Sequence, residues 1–398
     1  VVTAHELFME QAPSFNFDLN EEQCIIRDMA RRFAAEVIAP EFQKLSTCND
    51  VPYDILGKMA DMGFMGVPFS EEYGGGGGDW VSMHLVIEEV SRADIALGTL
   101  LDVTSSVVAQ EIDRFGTDAQ KKQWLPDLCS GKAIGAFALT EPSSGSDAGS
   151  LKMRAELDGE EWVLEGSKQF ITNVGLDNCS LVVVAARAEI EGKEQIVTFI
   201  VPKDAPGLVV GRSYDKIAFE SGTTNELIFD GCRIPKDSIL GDPNRGFAQH
   251  LAVLETGRIS IAAACVGAAQ ACLDHALAYA REREQFGKPI FEFQGVQFKL
   301  SDMAVKIEMA RTLYLKAAWL KDEGRPHTFE AASAKLYASE ILEQCASDAV
   351  QILGGNGVME DYPVASIFRA SKIMQIVEGT SEVQRIIIGR LLASGARN

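Results

Sequence analysis

"AIGAFALT" (133–140), "MRAEL" (153–157), "EWVLEG" (161–166), "SLVVVAAR" (180–187), "IVTFIVP" (196–202) and "NELIFDG" (225–231) are short β-rich runs separated by turns such as Asp158-Gly159. They predict a compact β domain over residues 132–245, and the chain on either side of it reads differently. From Asn20 to Gly131 the apolar period is helical. Ile25, Ile26, Met29, Phe33 and Val37 make one stripe, which Pro40 is expected to close, and Ile55, Met59 and Met62 begin another. After Gly246 helical periodicity returns in four or five long segments. The longest covers 249–284 and carries Ala and Gly faces that permit close helix packing. The expected architecture is therefore multi-domain α and β: an N-terminal all-α domain (1–131), a middle antiparallel β domain (132–245) and a C-terminal antiparallel helical bundle (246–398). A doubly wound dinucleotide fold would alternate strands with helices throughout, and no Gly-x-Gly-x-x-Gly follows a strand, so Rossmann-type nicotinamide chemistry is excluded.

Composition narrows the function classes. The chain has 398 residues, 46% of them hydrophobic, enough for two or three cores, and a formal charge of −20 that opposes nucleic acid and anionic lipid surfaces. No sequence run approaches the roughly 18 apolar residues of a membrane helix. The eight cysteines show no C-x-x-C pair and read as free thiols of a reducing compartment: the bacterial cytoplasm, or the mitochondrial matrix after processing, with the former favoured. The five histidines have no metal-ligand spacing, so no metal is expected. The N-terminal stretch lacks the order of a signal peptide, and Met9 reads as the start. "YGGGGGDW" (73–80) lacks the preceding strand and following Lys-Ser/Thr of a phosphate loop and reads as a flexible loop without chemistry.

Five motifs carry a resemblance. "FALTEPSSGSDAGS" (137–150), "GSKQFITN" (166–173), "REREQFGKPI" (281–290), "QILGGNGV" (351–358) and "QIVEGTSEVQR" (375–385) resemble, in order and over essentially the whole chain, the motif series of the acyl-CoA dehydrogenase family. The resemblance implies a flavoprotein that binds FAD and an acyl-CoA thioester, has a C-terminal four-helix domain, and forms a homotetramer built as a dimer of dimers. It also implies that electrons leave through an electron-transferring flavoprotein.

The same resemblance assigns residues. Removing the α-proton of a thioester needs a desolvated base and a stabilised enolate. Glu378 matches that base, with the β-hydride passing to flavin N5 and the Glu378 N–H, together with a ribityl hydroxyl, holding the thioester carbonyl. Gly379 permits a tight turn after it, and Ser381 with Gln384 has the spacing of a capping box. Relatives acting on branched and long chains carry the base on another helix, at the position of Gly257 here. Arg258 and Glu255 match residues of the CoA site. Phe137, Leu139, Thr140 and Ser146 match the flavin and substrate loop; Phe170 and Thr172 match the aromatic-x-Thr that covers the ring. Arg283, Phe286, Gln294, Gln351 and Gly355 match positions that reach the FAD of a neighbouring subunit, and Thr380 and Glu382 match the nucleotide side.

Three departures bear on substrate. "KIAFESGTT" (216–224) places Ala218 and Glu220 where relatives read Gly and Arg, Val377 replaces a Tyr beside the reacting carbons, and Asp102 aligns with a residue lining the acyl pocket. Glutaryl-type relatives need a cation at the position that is Gly98 here, so a dicarboxylate is disfavoured. A buried carboxylate also suits a long apolar tail poorly. The expectation is a compact acyl group: short, branched or alicyclic, such as cyclohexane- or cyclohexene-carboxyl. Asp102 then either acts as a second base at a ring carbon or limits the depth of the pocket, paired with a hydroxyl such as Thr104. The alternatives are a butyryl-CoA-type dehydrogenase, or an acyl-CoA oxidase or enoyl-CoA reductase on the same scaffold; the relatives associated with DNA want a basic surface that this chain lacks.

Overall fold

The computed structural model describes residues 18–47 and 51–395. The expected start at Met9 and the cysteine at position 48 lie outside them. The chain begins with helices α1 (Glu21–Phe33), α2 (Phe42–Thr47), α3 (Tyr53–Asp61), α4 (Trp80–Ala93), α5 (Ile95–Leu101), α6 (Gln110–Phe115) and α7 (Asp118–Cys129). Asn20 caps α1 through a reciprocal pair of bonds with Gln23. The first apolar stripe is only partly buried. Ala30 and Phe33 face the core, while Ile25 and Met29 stay exposed. Pro40 does not close the stripe either: the helical path runs on through a π turn (Ala34–Ile38) and a 3-10 turn (Ala39–Glu41) with Pro40 in its first turn, where no N–H is required.

Seven strands follow: β1 (Ile134–Ala138), β2 (Arg154–Asp158), β3 (Glu161–Thr172), β4 (Cys179–Ile190), β5 (Lys193–Pro202), β6 (Leu208–Ser213) and β7 (Thr224–Pro235). The sheet order is β1-β4-β2-β3-β7-β6, with β5 on the other edge of β4. Most pairs are antiparallel as expected, but β4 runs parallel to β1 over its first half and to β2 over its second. That central position explains its nearly unbroken apolar run, because a strand paired on both edges and covered on both faces has little polar side to show.

The remaining helices are α8 (Gly246–Glu282), α9 (Gln294–Asp322), α10 (Thr328–Leu353), α11 (Pro363–Met374) and α12 (Ser381–Ser394), with a small hairpin, β8 (Glu284–Gln285) and β9 (Lys288–Pro289), between α8 and α9. The bundle is organised on α8, which packs against α10, α9 and α4. Contrary to the sequence reading, two helical stretches, Ile95–Phe115 and Gly246–Glu282, are long and apolar enough to cross a bilayer; their most apolar windows are 94% and 78% buried within this chain, so both are core helices here.

The glycine-rich segment 74–78 also differs from expectation. Its amides bond back to Gly66, Val67 and Phe69, and a Cβ on Gly75 would lie 2.2 Å from the Phe69 carbonyl oxygen. The glycines serve a close backbone approach in an ordered turn. A second close approach holds α8 to α4, where a Cβ on Gly267 would stand 2.0 Å from the backbone oxygen of Glu88. Gly267→Ala is therefore expected to force the two helices apart and cost about 1–3 kcal/mol as an overpacked contact, read as a lowered thermal midpoint.

Candidate active site

Glu378 lies in the turn between α11 and α12, with φ +52°, a left-handed conformation that a residue with a Cβ seldom adopts. The turn is fastened from two sides. Lys335 Nζ on α10 donates to the Gly379 carbonyl at 2.8 Å, and Gln384 Nε2 on α12 donates to the same oxygen at 2.8 Å and to the Glu378 carbonyl at 3.3 Å. Gly379, at φ +93°, completes the bend. The cap of α12 lies one residue earlier than the sequence suggests. Thr380, not Ser381, accepts from an amide of the first turn, that of Val383, and Gln384 is thereby free to hold the turn that carries Glu378.

The Glu378 side chain lies over Gly257 on α8. A Cβ at Gly257 would sit 2.1 Å from Glu378 Oε2, so the absence of a side chain there makes the space that the carboxyl fills. On its other side stands Asp102, wholly buried, at the first residue of an eight-residue π-helical segment (Asp102–Ala109) that continues α5. Wide turns of this kind recur at functional sites. The two carboxyls are near enough for each to act on the ionisation of the other. Among the described residues, neither Asp102 oxygen nor Glu378 Oε2 has a hydrogen-bond partner, and two neighbouring buried carboxyls do not both ionise readily.

The surroundings are asymmetric. Burial, and then the Glu378 charge, push Asp102 well above the ordinary carboxylate range; the Ser260 hydroxyl beside it opposes this weakly. Glu378 is also raised by burial, but Arg258 and Lys335 pull it back toward ionisation. Burial in turn lowers Arg258, and lowers Lys335 to about 8. The proton therefore belongs mainly to Asp102 and the negative charge to Glu378. Thr104 is not the partner of Asp102: neither Asp102 oxygen takes a bond from it, and the Thr104 hydroxyl accepts from Asn173 Nδ2 at 3.3 Å.

A second group of residues gathers at the ends of β1 and β3. Lys168 is buried against Glu141 at 2.9 Å and donates to the Leu139 carbonyl at 3.0 Å, while the Gln169 amide donates to the Thr140 carbonyl at 3.0 Å. These bonds tie the segment containing Phe137, Leu139 and Thr140 to the strand that carries Phe170 and Thr172. Phe170 sits at φ +61° in a break of the β3–β7 register and is 57% exposed. An aromatic face pushed out of a strand beside a fixed loop suits a flat aromatic cofactor. Ser146 is exposed on the loop that follows.

Glu255 on α8 accepts from the Thr328 hydroxyl at 2.7 Å, and Val377 is half-buried beside the base. Arg283, Phe286, Gln294, Gln351 and Gly355 are all exposed, Phe286 at 94% on the β8–β9 turn. Thr380 and the exposed Glu382 open α12. In the departure at 216–224, Ala218 is buried and Glu220 meets Arg369 of α11 at 3.5 Å, so the ion pair here takes its cation from the helical bundle. At Gly98 a Cβ would lie 1.8 Å from Ser91 Oγ, so no cationic side chain has room there. Three elements of the site lie beyond the sequence reading: Lys335, Ser260 and the contact between Asp102 and Glu378. Lys335 carried one signal, a lysine inside an otherwise apolar helical stretch.

An enclosed carboxyl facing the bundle, with an exposed aromatic beside a fixed loop, is an arrangement suited to proton removal next to a flat cofactor. The chain matches the N-terminal, middle and C-terminal domain models of acyl-CoA dehydrogenase over residues 20–132, 136–232 and 244–393, and it belongs to that family. It is 46% identical over 377 residues to a probable acyl-CoA dehydrogenase, YngJ, of Bacillus subtilis, covering 95% of this chain and 99% of that one. Among solved structures, butyryl-CoA dehydrogenase from Megasphaera elsdenii superposes with a TM-score of 0.92 at 38% identity, covering 95% and 100% of the two chains. A chain from work on the electron transferring flavoprotein of Acidaminococcus fermentans gives 0.92 at 42%, covering 95% and 99%. The protein is accordingly an FAD-dependent oxidoreductase acting on acyl-CoA.

The buried acid pair has a cost that is measurable. A carboxyl whose pKa is raised on folding loses stability as pH climbs from its unfolded value, 3.8 for Asp102, toward its folded one. Asp102→Asn removes that penalty. The variant is expected to be more thermostable than wild type at neutral pH, by a margin that shrinks to nothing below about pH 4; equal margins at both pH values would contradict the buried-acid assignment.

Proposed function

We propose that this enzyme oxidises compact acyl-CoA thioesters to enoyl-CoA, with Glu378 as the α-proton base. The observation that carries the reading is the Glu378 carboxyl, enclosed over Gly257 and kept near ionisation by Arg258 and Lys335. The Glu378 N–H donates to no group among the described residues, which leaves it available for the thioester oxygen as negative charge develops there. Phe137, Leu139, Thr140, Phe170 and Thr172 would hold the flavin ring, and Thr380 with Glu382 the nucleotide side. When bound, FAD supplies the acceptor for the β-hydride. Glu255, Arg258, Ser146, Val377 and Gly379 would frame the CoA and thioester.

Substrate size follows from the far wall. Asp102 presents a buried acid to the acyl group and Gly98 has no room for a cation, which argues against both a long apolar tail and a distal carboxylate. Val377 leaves width beside the reacting carbons. Width without length favours a branched or alicyclic group, such as cyclohexane- or cyclohexene-carboxyl, on which Asp102 serves as a second base at a ring carbon. Likeness to butyryl-CoA dehydrogenase favours a straight short chain instead. A panel of butyryl, octanoyl and cyclohexenecarboxyl thioesters separates these readings, and preference for octanoyl ends the compact-substrate proposal.

Electrons would pass to an electron-transferring flavoprotein, in keeping with the structural neighbour from that work; reoxidation by air alone would mark an oxidase. A bacterial cytoplasmic setting accords with the Bacillus relative. A homotetramer, as a dimer of dimers, would cover Phe286, Phe298, Val305 and Met309, which are exposed in the single chain. The three domain spans, 1–131, 132–245 and 246–398, are part of the same reading.

Glu378→Gln is expected to retain FAD and bind thioester but to bleach the flavin at least about 100-fold more slowly; near-normal bleaching would sink the base assignment. In the wild type the acid limb of flavin reduction should lie above the ordinary glutamate value of 4.5, since burial raises Glu378 and only its ionised form accepts the proton. Arg283→Ala should lower FAD occupancy without unfolding the chain, and a fully flavinylated monomer in light scattering would contradict the shared site.

A further inference from the structure

The π segment that begins at Asp102 is tied to the rest of the fold by two polar side chains. Ser105 Oγ donates to the Met65 carbonyl at 2.8 Å. Asn173 Nδ2 lies 3.3 Å from each of three acceptors: the Leu100 carbonyl just before the segment, the Thr104 hydroxyl within it, and the Gly135 carbonyl of β1. An amide nitrogen has two hydrogens, so they are shared among the three. Asn173, Leu100 and Thr104 are all buried, where an acceptor left without its donor is costly. Asn173 directly follows Thr172 at the end of β3 and has φ +71°, a left-handed conformation that Asn tolerates better than most residues with a Cβ. Gly135 adds a steric constraint. A Cβ there would lie 2.5 Å from Val108 Cγ1, so the π segment rests directly against the strand that leads through Phe137 to Leu139.

We propose that Asn173 is a positioning residue for substrate choice: it fixes the Asp102 wall relative to the elements that carry Phe137, Phe170 and Thr172, and so sets how long an acyl chain fits between that wall and the flavin. The proposal rests on the reading of Asp102 as the far wall of the acyl pocket and of those three residues as flavin contacts. The bonds to Leu100 and Thr104 bracket Asp102 in the chain, and the bond to Gly135 refers both to the sheet, so the wall cannot move against β1 without lengthening at least one of them. None of these groups moves a proton or a hydride; they act only through where they hold Asp102. Asn173→Gly keeps the left-handed backbone accessible and takes the donor from all three acceptors. The π segment is then free to settle elsewhere, and discrimination against longer chains relaxes.

The test measures the second-order rate constant of anaerobic flavin bleaching by butyryl-, cyclohexenecarboxyl- and octanoyl-CoA, with FAD occupancy and thermal midpoint, in the FAD-loaded wild type and in Asn173→Gly, Thr104→Val and Asp102→Ala. In Asn173→Gly the preference for the better compact substrate over octanoyl is expected to fall at least about 10-fold while FAD stays bound, the scale on which a pocket wall discriminates small differences in chain size. Thr104→Val removes one of the three acceptors and leaves the backbone at 173 untouched. It should shift the ratio in the same direction, and it decides the matter should Asn173→Gly fail to fold. A lowered thermal midpoint with the ratio unchanged or raised would overturn the proposal, because Asn173 would then only support the fold. If Asp102→Ala changes the ratio and neither of the other variants does, the proposal falls and the reading of Asp102 as the wall stands. If Asp102→Ala leaves the ratio unchanged, the wall reading falls and the proposal with it.

Discussion

Two neighbouring carboxyl side chains are taken out of solvent, and most of the local structure can be understood as arrangements for keeping them there. An ionised carboxylate in a protein interior is costly unless a charge or a hydrogen bond offsets it. Here the offset is divided. Burial favours the protonated form of Asp102, while Arg258 and Lys335 pull Glu378 toward ionisation. Lys335 acts twice, since its Nζ also holds the Gly379 carbonyl and with it the left-handed bend that aims Glu378. The scaffold's part is to bring the π segment after α5, the middle of α8, the body of α10 and the α11–α12 turn to one point, with the β domain presenting Phe170 and Thr172 from its own edge.

What was legible in the sequence divides along the range of the interactions. The order of helices, strands and helices came through because periodicity is local. A resemblance singled out Glu378 and Gly257 without needing contacts, and the structure sets the one against the other. The meeting of Asp102 with Glu378 did not come through, since residues so far apart in the chain leave no local signature. The pairing of Thr104 with Asn173 was hidden for the same reason.

Local readings failed where tertiary packing overrode them. The glycine run at 74–78 looks like slack chain by composition, yet a Cβ on Gly75 would meet Phe69 and one on Gly78 would crowd Val67, which composition alone does not distinguish from flexibility. The α12 cap lies at Thr380 rather than Ser381, and Gln384 instead bonds the carbonyls of the turn that carries Glu378. Ile25 and Met29 fit an apolar stripe but are not buried in the single chain. Long apolar helices looked unremarkable in sequence and turned out to be the interior of the molecule.

The clearance over Gly257 has an evolutionary side. The carboxyl of Glu378, proposed as the base, fills from the loop the space that a side chain at Gly257 would take from the helix. A glutamate at both positions would collide, because even a methyl at Gly257 meets the carboxyl of Glu378. A glycine at 257 with a small residue at 378 leaves no base at all. Filling Gly257 would therefore require the Glu378 side chain to swing away or be shortened. The steric exclusion makes the two changes epistatic, and the location of the base should persist within a lineage while residues around the acyl group drift.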